Sequence, residues 1–384
     1  MRDRFGGARA RQALGLAAIV LAIAVATDPL RSQEAPSPLV VGLATPLTGR
    51  AAATGAAQRA ALEAAIARIN ETGGVIGRPV ALAVADDACS RSGAVRAQAE
   101  LAAAKADVIV GHPCPAASDA ATPLYARAGT LLIAAGNRHP SLTAKPAGPL
   151  VFRASGRDDR QGTDAADRLA AMAGGDGAIA ILHDRTAMAR AIVQAAVHRL
   201  NEIRGPNGAA RTLVTGIVAG ETDYARAVDA VAASGAAAVL FAGFPAEAAI
   251  LLRLMRARGI TAPLLLNANN ATPELVAHAG GALAERVEIM LPSAAGPPAG
   301  QDQGAASGDR DTLDDIAASD ARLALTAWAA AVTAAQTASA EAVARELSAV
   351  SPADRIAFDA RRDAITRSFA PYRWTGSGWR IAGR

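Results

Sequence analysis

Residues 39–87, "LVVGLATPLTGRAAATGAAQRAALEAAIARINETGGVIGRPVALAVADD", decide the fold. Their two ends are short apolar runs of the length and branched composition of buried strands, and a helix-period stretch lies between them. Leu62, Ile66 and Ile69 share one face of that stretch, opposite Arg59, Glu63 and Arg68. Continuous apolar strands separated by helices are the pattern of a parallel sheet covered on both faces.

The same alternation runs outward from this stretch. "PVALAVADD" leads to "RSGAVRAQAELAAA", "ADVIVGH" leads to "AASDAATPLYARAG", and "GTLLIAAG" closes a first set. The pattern restarts after "GPLVFRASGRDD". "AIAILHD" precedes a helix on which Val193, Val197 and Leu200 line up, and "LVTGIVA", "AAAVLFAG" and "PLLLNA" follow between further helices. Two consecutive sets predict two α/β domains, which a chain of 384 residues accommodates. A third section breaks the rhythm. "RVEIMLPS" reads as a strand, "AAGPPAGQDQGAASGD" as an exposed loop, and "TLDDIAASDARLALTAWAAAVTAAQTA" as a long helix, with a shorter helix from Glu341. "RIAFDARRD" and "FAPYRWTGSGWRI" read as terminal strands with a Gly turn. These pieces are too few for a third domain and complete the first two, so the chain crosses between domains more than once. No fixed repeat period is visible.

The first 26 residues stand apart. Arg2, Arg4, Arg9 and Arg11 precede the uncharged run "ALGLAAIVLAIAVA", which ends in the small-x-small triplet Ala24-Val25-Ala26. The run is short of the roughly 20 apolar residues of a comfortable membrane span, so residues 1–26 read as a secretory signal peptide. Residues 27–38 read as a disordered leader. The mature protein is expected to be soluble outside the cytoplasm. The sequence pI of 9.6 reflects this segment. Removing its four Arg and one Asp from 39 basic and 35 acidic residues leaves 35 and 34, a net charge of +1. The remaining basic residues are dispersed and include only two Lys, which argues against a nucleic-acid partner.

In parallel sheets, ligands bind beyond the carboxyl ends of strands, so the strand-to-helix elbows are the places to search. None of them carries a G-x-S-x-G, H-E-x-x-H, Walker-type or G-x-G-x-x-G motif, and no enzyme or cofactor is expected. His112 and Cys114 are only two potential ligands, too few for a metal site. Cys89 and Cys114 are the only cysteines, and an even pair in an exported chain reads as a disulfide. Closing that loop stabilises a fold by about 3 kcal/mol in the chain-entropy treatment. His112 then reads as a bystander on the rim. Asp86-Asp87 is either an acid pair or, more in keeping with a strand end, a receiver of turn N–H groups.

The 39–101 region, together with "VIVGHPCPAAS", "LLIAAGNRHPSLT", "VFRASGRDDRQGTDAADRLA", "AIAILHD" and "GIVAGETDY", resembles periplasmic binding proteins of the leucine/isoleucine/valine type, the solute-binding components of branched-chain amino-acid ABC importers. The resemblance is weaker through "FAGFPAEAAILLRLMRARGI" and the terminal "FDARRD…YRW". It implies the type I periplasmic binding protein fold, two Rossmann-like lobes with parallel sheets joined by three hinge strands, here near 151–155, 290–294 and 350–354. Lobe 1 would comprise 39–151 with 292–350, and lobe 2 would comprise 152–291 with 351–384. The resemblance also pairs Cys89 with Cys114. It implies a monomer that binds a small-molecule ligand and docks on an ABC permease in the inner membrane, with no chemistry. The same lobes also serve periplasmic sensors that signal occupancy to a receptor or regulator, which is the alternative.

Ligand positions carried over from the family fall on Thr54, Pro115, Ala116, Ser118, Asn137, Arg138, Arg185, Met188, Phe244, Asn267 and Asn269. Several depart from the pattern. Pro115 stands where relatives keep a Ser, and it has neither hydroxyl nor N–H. Ser118 follows a turn later as a partial substitute. Asn137-Arg138 replaces a small-residue/Thr pair, and Met188 replaces an aromatic. The acidic residue that receives a ligand ammonium falls in "LNANNAT", where Asn267, Asn269 and Asn270 are neutral. Burying an ammonium without a carboxylate is costly, so the site suits an amino-acid-like or carboxylate metabolite that is neutral or carries an acid group. Arg138 or Arg185 would meet that acid in bidentate fashion. Two plainer readings stay open. Arg138 braces a loop carboxylate, and the Asn cluster serves turn and cap chemistry before "PELVAHAG". Thr48 and Thr54 are expected to cap the first helix.

Overall fold

The computed structural model describes residues 36–144, 148–174, 176–205, 211–280, 286–292, 313–349, 357–365, 368–376 and 378–382. The signal peptide at 1–26, most of the leader, the loop at 294–309 and the hinge expected near 350–354 lie outside them.

Strand β1 (Leu39–Thr45), helix α1 (Ala52–Glu71) and strand β2 (Val80–Asp86) form as the opening stretch predicts. β1 and β2 pair in parallel from Leu39↔Val80 to Thr45↔Asp86. Helix α2 (Arg91–Ala103), β3 (Val108–Gly111), α3 (Pro115–Ala128), β4 (Leu131–Ala134), the single turn α4 (Ser141–Ala144) and β5 (Val151–Arg153) complete a first sheet. Its order is β2-β1-β3-β4-β5, and all its pairings are parallel.

Alternation along each strand sorts this sheet into two faces. Val108, Val110, Leu131 and Ile133 point to one core with Leu62 and Ile66 of α1. The same core takes Leu325 and Trp328 of helix α10 (Leu313–Ala335) and Val343 and Leu347 of α11 (Ala340–Ser348). Ile109, Leu132 and Ala134 point the other way, against α2 and α3. The long helix of the third section therefore completes the first sheet, as the sequence predicts.

The second sheet begins after helix α5 (Asp158–Met172). It contains β6 (Ile179–His183), β7 (Thr212–Gly216), β8 (Ala238–Ala242), β9 (Leu264–Leu266), β10 (Val287–Pro292), β11 (Phe369–Trp374) and β12 (Trp379–Ile381). Its order is β12-β11-β10-β9-β8-β6-β7. The strands from β7 to β10 pair in parallel, and the terminal hairpin adds two antiparallel strands at the far edge. Helices α6 (Ala187–Arg204), α7 (Ala225–Ser234), α8 (Pro245–Ala257) and α9 (Pro273–Ala279), with a 3₁₀ turn at Ala268–Asn270, connect the parallel strands. Helices α5 and α6 approach closely at Gly162, where an added Cβ would stand 2.2 Å from the Ile192 carbonyl oxygen.

The terminal hairpin matches its prediction, but the described part of "RIAFDARRD", residues 357–363, does not form a strand. Residues 357–365 instead fold into a tight turn, with Asp359 Oδ1 accepting from the backbone N–H groups of Arg361 (2.8 Å) and Asp363 (3.0 Å). Only isolated bridges, Phe358↔Ala364 and Arg153↔Asp363, are left of the expected pairing. An Asp side chain that captures its own loop's N–H groups competes with a sheet ladder, and here it prevails. Chain order takes the protein from the first sheet to the second between Arg153 and Asp158, back after Pro292, and forward again beyond α11.

Candidate functional site

The elbows at the carboxyl ends of both sheets hold most of the predicted positions. Asp86, ending β2, receives the Thr48 hydroxyl at 2.6 Å and the backbone N–H groups of Leu47 and Ala88 at 2.8 Å each. Partial burial pushes its carboxyl up, and these bonds pull it further down, below the usual carboxylate range. Asp87 Oδ1 accepts from Cys89 N–H at 2.8 Å. The adjacent carboxylates are thus turn receivers. Thr48 does not cap α1, because its hydroxyl is committed to Asp86. Thr54 does not cap it either, since its hydroxyl donates to Asp314 at 2.8 Å and ties α1 to α10.

Cys89 and Cys114 form a disulfide with a Cα–Cα distance of 5.4 Å, joining the elbow after β2 to that after β3. His112 is a correction to the sequence reading. It is fully buried, not on the rim. A left-handed backbone at His112 (φ 49°) follows Gly111 (φ 135°) and accompanies this inward placement of the ring. There Nδ1 lies 2.8 Å from Asp87 Oδ2, and Nε2 lies 3.0 Å from the Tyr125 hydroxyl. Burial and then the Asp87 charge push the Tyr125 phenol up, so it keeps its proton.

Pro115 and Ala116 open α3 on the exposed side. Ser118, on the same first turn, is fully buried, and its Oγ has no hydrogen-bond partner in the protein. After β4, Gly136 N–H donates to Ser155 Oγ at 2.6 Å, and Asn137 Oδ1 accepts from His139 N–H at 3.0 Å. Asn137 is 1% exposed and its Nδ2 is unpartnered. The elbows after β3 and β4 abut, since a Cβ on Gly136 would stand 2.7 Å from Pro113 Cβ.

On the second sheet, Asn267 Oδ1 accepts from Gly243 N–H (3.0 Å) and Asn270 Nδ2 (2.6 Å), and Asn267 Nδ2 lies 3.5 Å from Met188 Sδ. Asn270 is fully buried with Oδ1 unpartnered. Phe244 precedes α8 and is exposed. Arg185 turns aside, donating from Nη2 to the Gly216 carbonyl at 3.1 Å at the edge strand β7. Asp184 receives the N–H (2.9 Å) and hydroxyl (2.7 Å) of Thr186 on Oδ1, and its buried Oδ2 has no partner.

Arg138 joins the two sets of elbows. Its Nη2 donates to Asn269 Oδ1, its carbonyl accepts from Asp158 N–H at 2.9 Å, and its Nε lies 3.6 Å from Asp158 Oδ1. Arg138 therefore braces a carboxylate and reaches the Asn cluster at once. Sequence reading missed Ser155 and Asp158. Asp158 is one of two adjacent acids opening a helix, a pattern that signals only a helix start. Beside this junction a cavity of about 440 Å³ opens between His139, Pro140 and Asp159 and the α6 face of Ala187, Arg190 and Gln194. Among the described residues no group of three His, Cys, Asp or Glu could hold a metal, and no helix is long and apolar enough to cross a membrane.

Two mainly parallel sheets, bridged at their carboxyl-end elbows by the Arg138–Asn269 hydrogen bond, define an α/β fold of two sheets. The chain belongs to the periplasmic binding protein family, whose sequence profile matches residues 38–376. It is 34% identical over 263 residues to an amino acid binding protein of Pseudomonas aeruginosa, covering 68% of this chain and 69% of the relative. It is 30% identical over 246 residues to Leu/Ile/Val-binding protein homolog 1 of Brucella abortus, covering 64% and 65%. The match thus spans about two thirds of the length of these curated relatives. The fold is also that of a putative branched-chain amino acid ABC transporter from Silicibacter pomeroyi, with a TM-score of 0.74, 18% identity, and coverage of 90% of this chain and 96% of that one.

Proposed function

We propose that the protein is exported through the signal read at 1–26 and captures a small amino-acid-like or carboxylate metabolite for an ABC permease of the inner membrane. The lobes we assign, 39–151 with 292–350 and 152–291 with 351–384, close on the solute. One observation carries this reading. Buried polar side-chain atoms without protein partners stand on elbows of both sheets: Ser118 Oγ and Asn137 Nδ2 on the first, and Asn270 Oδ1 on the second. Leaving such a group unsatisfied costs about 1–3 kcal/mol, so a fold retains several together where a bound molecule completes them. The relatives named as amino acid and Leu/Ile/Val-binding proteins support the class of cargo. Closure rather than chemistry is the mechanism, with the solute favouring the state in which both lobes touch it.

A thermal-shift screen of amino acids, amides and small carboxylates tests the reading, with X-ray scattering to follow the radius of gyration. A hit that raises the melting temperature and contracts the particle is expected. Turnover of the hit by the purified protein would overturn the proposal.

A further inference from the structure

We infer that the elbows after β6 and β8 form a cation-receiving subsite, with Asp184 and Glu247 as its specificity-determining residues, and that the solute is basic. This rests on the solute-binding reading above and narrows its cargo. Buried Asp87, Asp158, Glu288 and Asp363 each have a His or Arg nitrogen within 3.6 Å. Asp184 and Glu247 are comparably buried, at 4% and 7% exposure, and among the described residues neither forms an ion pair. A carboxylate taken out of water without a cation is costly. Asp184 Oδ1 accepts the N–H and hydroxyl of Thr186, and Glu247 Oε1 accepts the Gly220 N–H at 2.9 Å. These bonds hold the two acids in place and leave their charge. Arg185, next in the chain, donates to the Gly216 carbonyl instead of pairing with Asp184.

The two acids share one neighbourhood. Asp184 N–H donates to the Ala242 carbonyl at 3.1 Å, which ties the β6 elbow to the end of β8. Glu247 stands in the first turn of α8, directly after that strand. Tyr224 lies within reach of both: burial first, and then the charges of Glu247, Glu221 and Asp184, push its phenol up. Two buried acceptors remain open here. One is Asp184 Oδ2, and the other is Asn270 Oδ1, whose amide nitrogen bonds the Gly243 carbonyl at 3.2 Å. Carboxylate and amide oxygens only accept, so a donor bearing positive charge completes them. Among the described residues no cluster of three His, Cys, Asp or Glu could hold a metal, so the cation is organic, an alkylammonium or a guanidinium. Val218 and Phe244, exposed on the flanking elbows, offer apolar surface to its carbon chain. The neutral Asn cluster thus does not decide the charge of the solute.

The test is isothermal titration of the mature full chain with pairs that differ chiefly in side-chain charge: lysine against norleucine, and arginine against citrulline. The charged member is expected to bind at least about tenfold tighter, the size of one charge-assisted hydrogen bond. Asp184→Asn keeps an acceptor for Thr186 and should erase most of that difference by weakening the charged member alone. Glu247→Gln should act in the same direction to a smaller extent, and it serves as the readout should Asp184→Asn fail to fold. An unchanged preference, or an equal loss for both members of a pair, in both variants overturns the roles of the two acids. A neutral member that binds as tightly as its charged counterpart, or more tightly, overturns the inference and leaves solute capture standing. Binding of none of the four also overturns the inference, and solute capture is then judged by the wider screen above.

Discussion

Arg153 Nε lies 2.9 Å from Asp363 Oδ1, and both side chains are buried where the chain leaves the first sheet for the second. Thr143 donates to the same carboxylate and accepts from Arg153 Nη2 at 2.8 Å, and Arg157 Nη1 meets Asp363 Oδ2 at 2.7 Å. The turn at 357–365 is thereby clamped onto the crossing. Replacing Asp363 with Ala would strand a buried guanidinium, at a cost of about 3–5 kcal/mol. Urea unfolding checks this, and Thr143→Val, which removes only a hydroxyl, should cost markedly less.

Glu288 gives the molecule an acid-sensitive tie. Its carboxylate receives Arg168 Nε and Nη2 at 2.8 Å each and Arg373 Nη2 at 2.7 Å. Burial pushes its carboxyl up, but the two arginines outweigh this and hold it below its ordinary value of 4.5. The stability it contributes is therefore complete above that value and fades as pH falls through the lowered one. Glu288→Gln should lose about 1–3 kcal/mol at neutral pH, discounted because Arg373 is largely exposed. The difference between variant and parent should shrink towards zero in strong acid, as pH-dependent urea midpoints will report.

The disulfide and the His112 cluster fasten the same two elbows by different means. Removing Cys89 and Cys114 together should cost about 3 kcal/mol, and the protein should still fold cooperatively, because Asp87, His112 and Tyr125 hold the elbows in register. His112→Phe should cost about 1–3 kcal/mol by leaving buried Asp87 Oδ2 without its imidazole partner. Combined with loss of the disulfide it should cost more than the sum, a coupling that a double-mutant cycle measures.

Trp328 of helix α10 is fully buried in the core beneath the first sheet, together with Leu325 and Val332 of the same helix. Trp328→Ala should destabilise the protein by about 3–5 kcal/mol. Limited proteolysis should then cut first within α10 and α11.

Periodicity made most of the fold legible. Leu62 and Ile66 of α1 lie in the core as their spacing predicts, and the two sets of strands fall into two sheets. Tertiary competition decided what was not legible. Phe358 and Ala364 suit a strand, yet Asp359 captures the loop between them. His112 looks like a rim residue until its left-handed backbone is known. At the site, sequence located the elbows and the neutral Asn cluster, but direction escaped it. Arg138 and Arg185 are equivalent on paper, and only one reaches across to the other sheet. Ser155 and Asp158, in an unremarkable crossover, gave no signal.

The face of the first sheet that carries the disulfide mixes larger side chains such as Leu101, Ile109, Tyr125 and Leu132 with alanines, Ala94 and Ala97 on α2, Ala117 and Ala121 on α3, and Ala44, Ala85 and Ala134 on the strands. The alanines let the helices approach the strands closely, so enlarging one of the helical ones, at about 1–3 kcal/mol, presses on the helix that carries it. For Ala117 and Ala121 that helix is α3, which bears Ser118. Substitutions on this hidden face would therefore be felt at the elbow that holds Cys114 and Ser118.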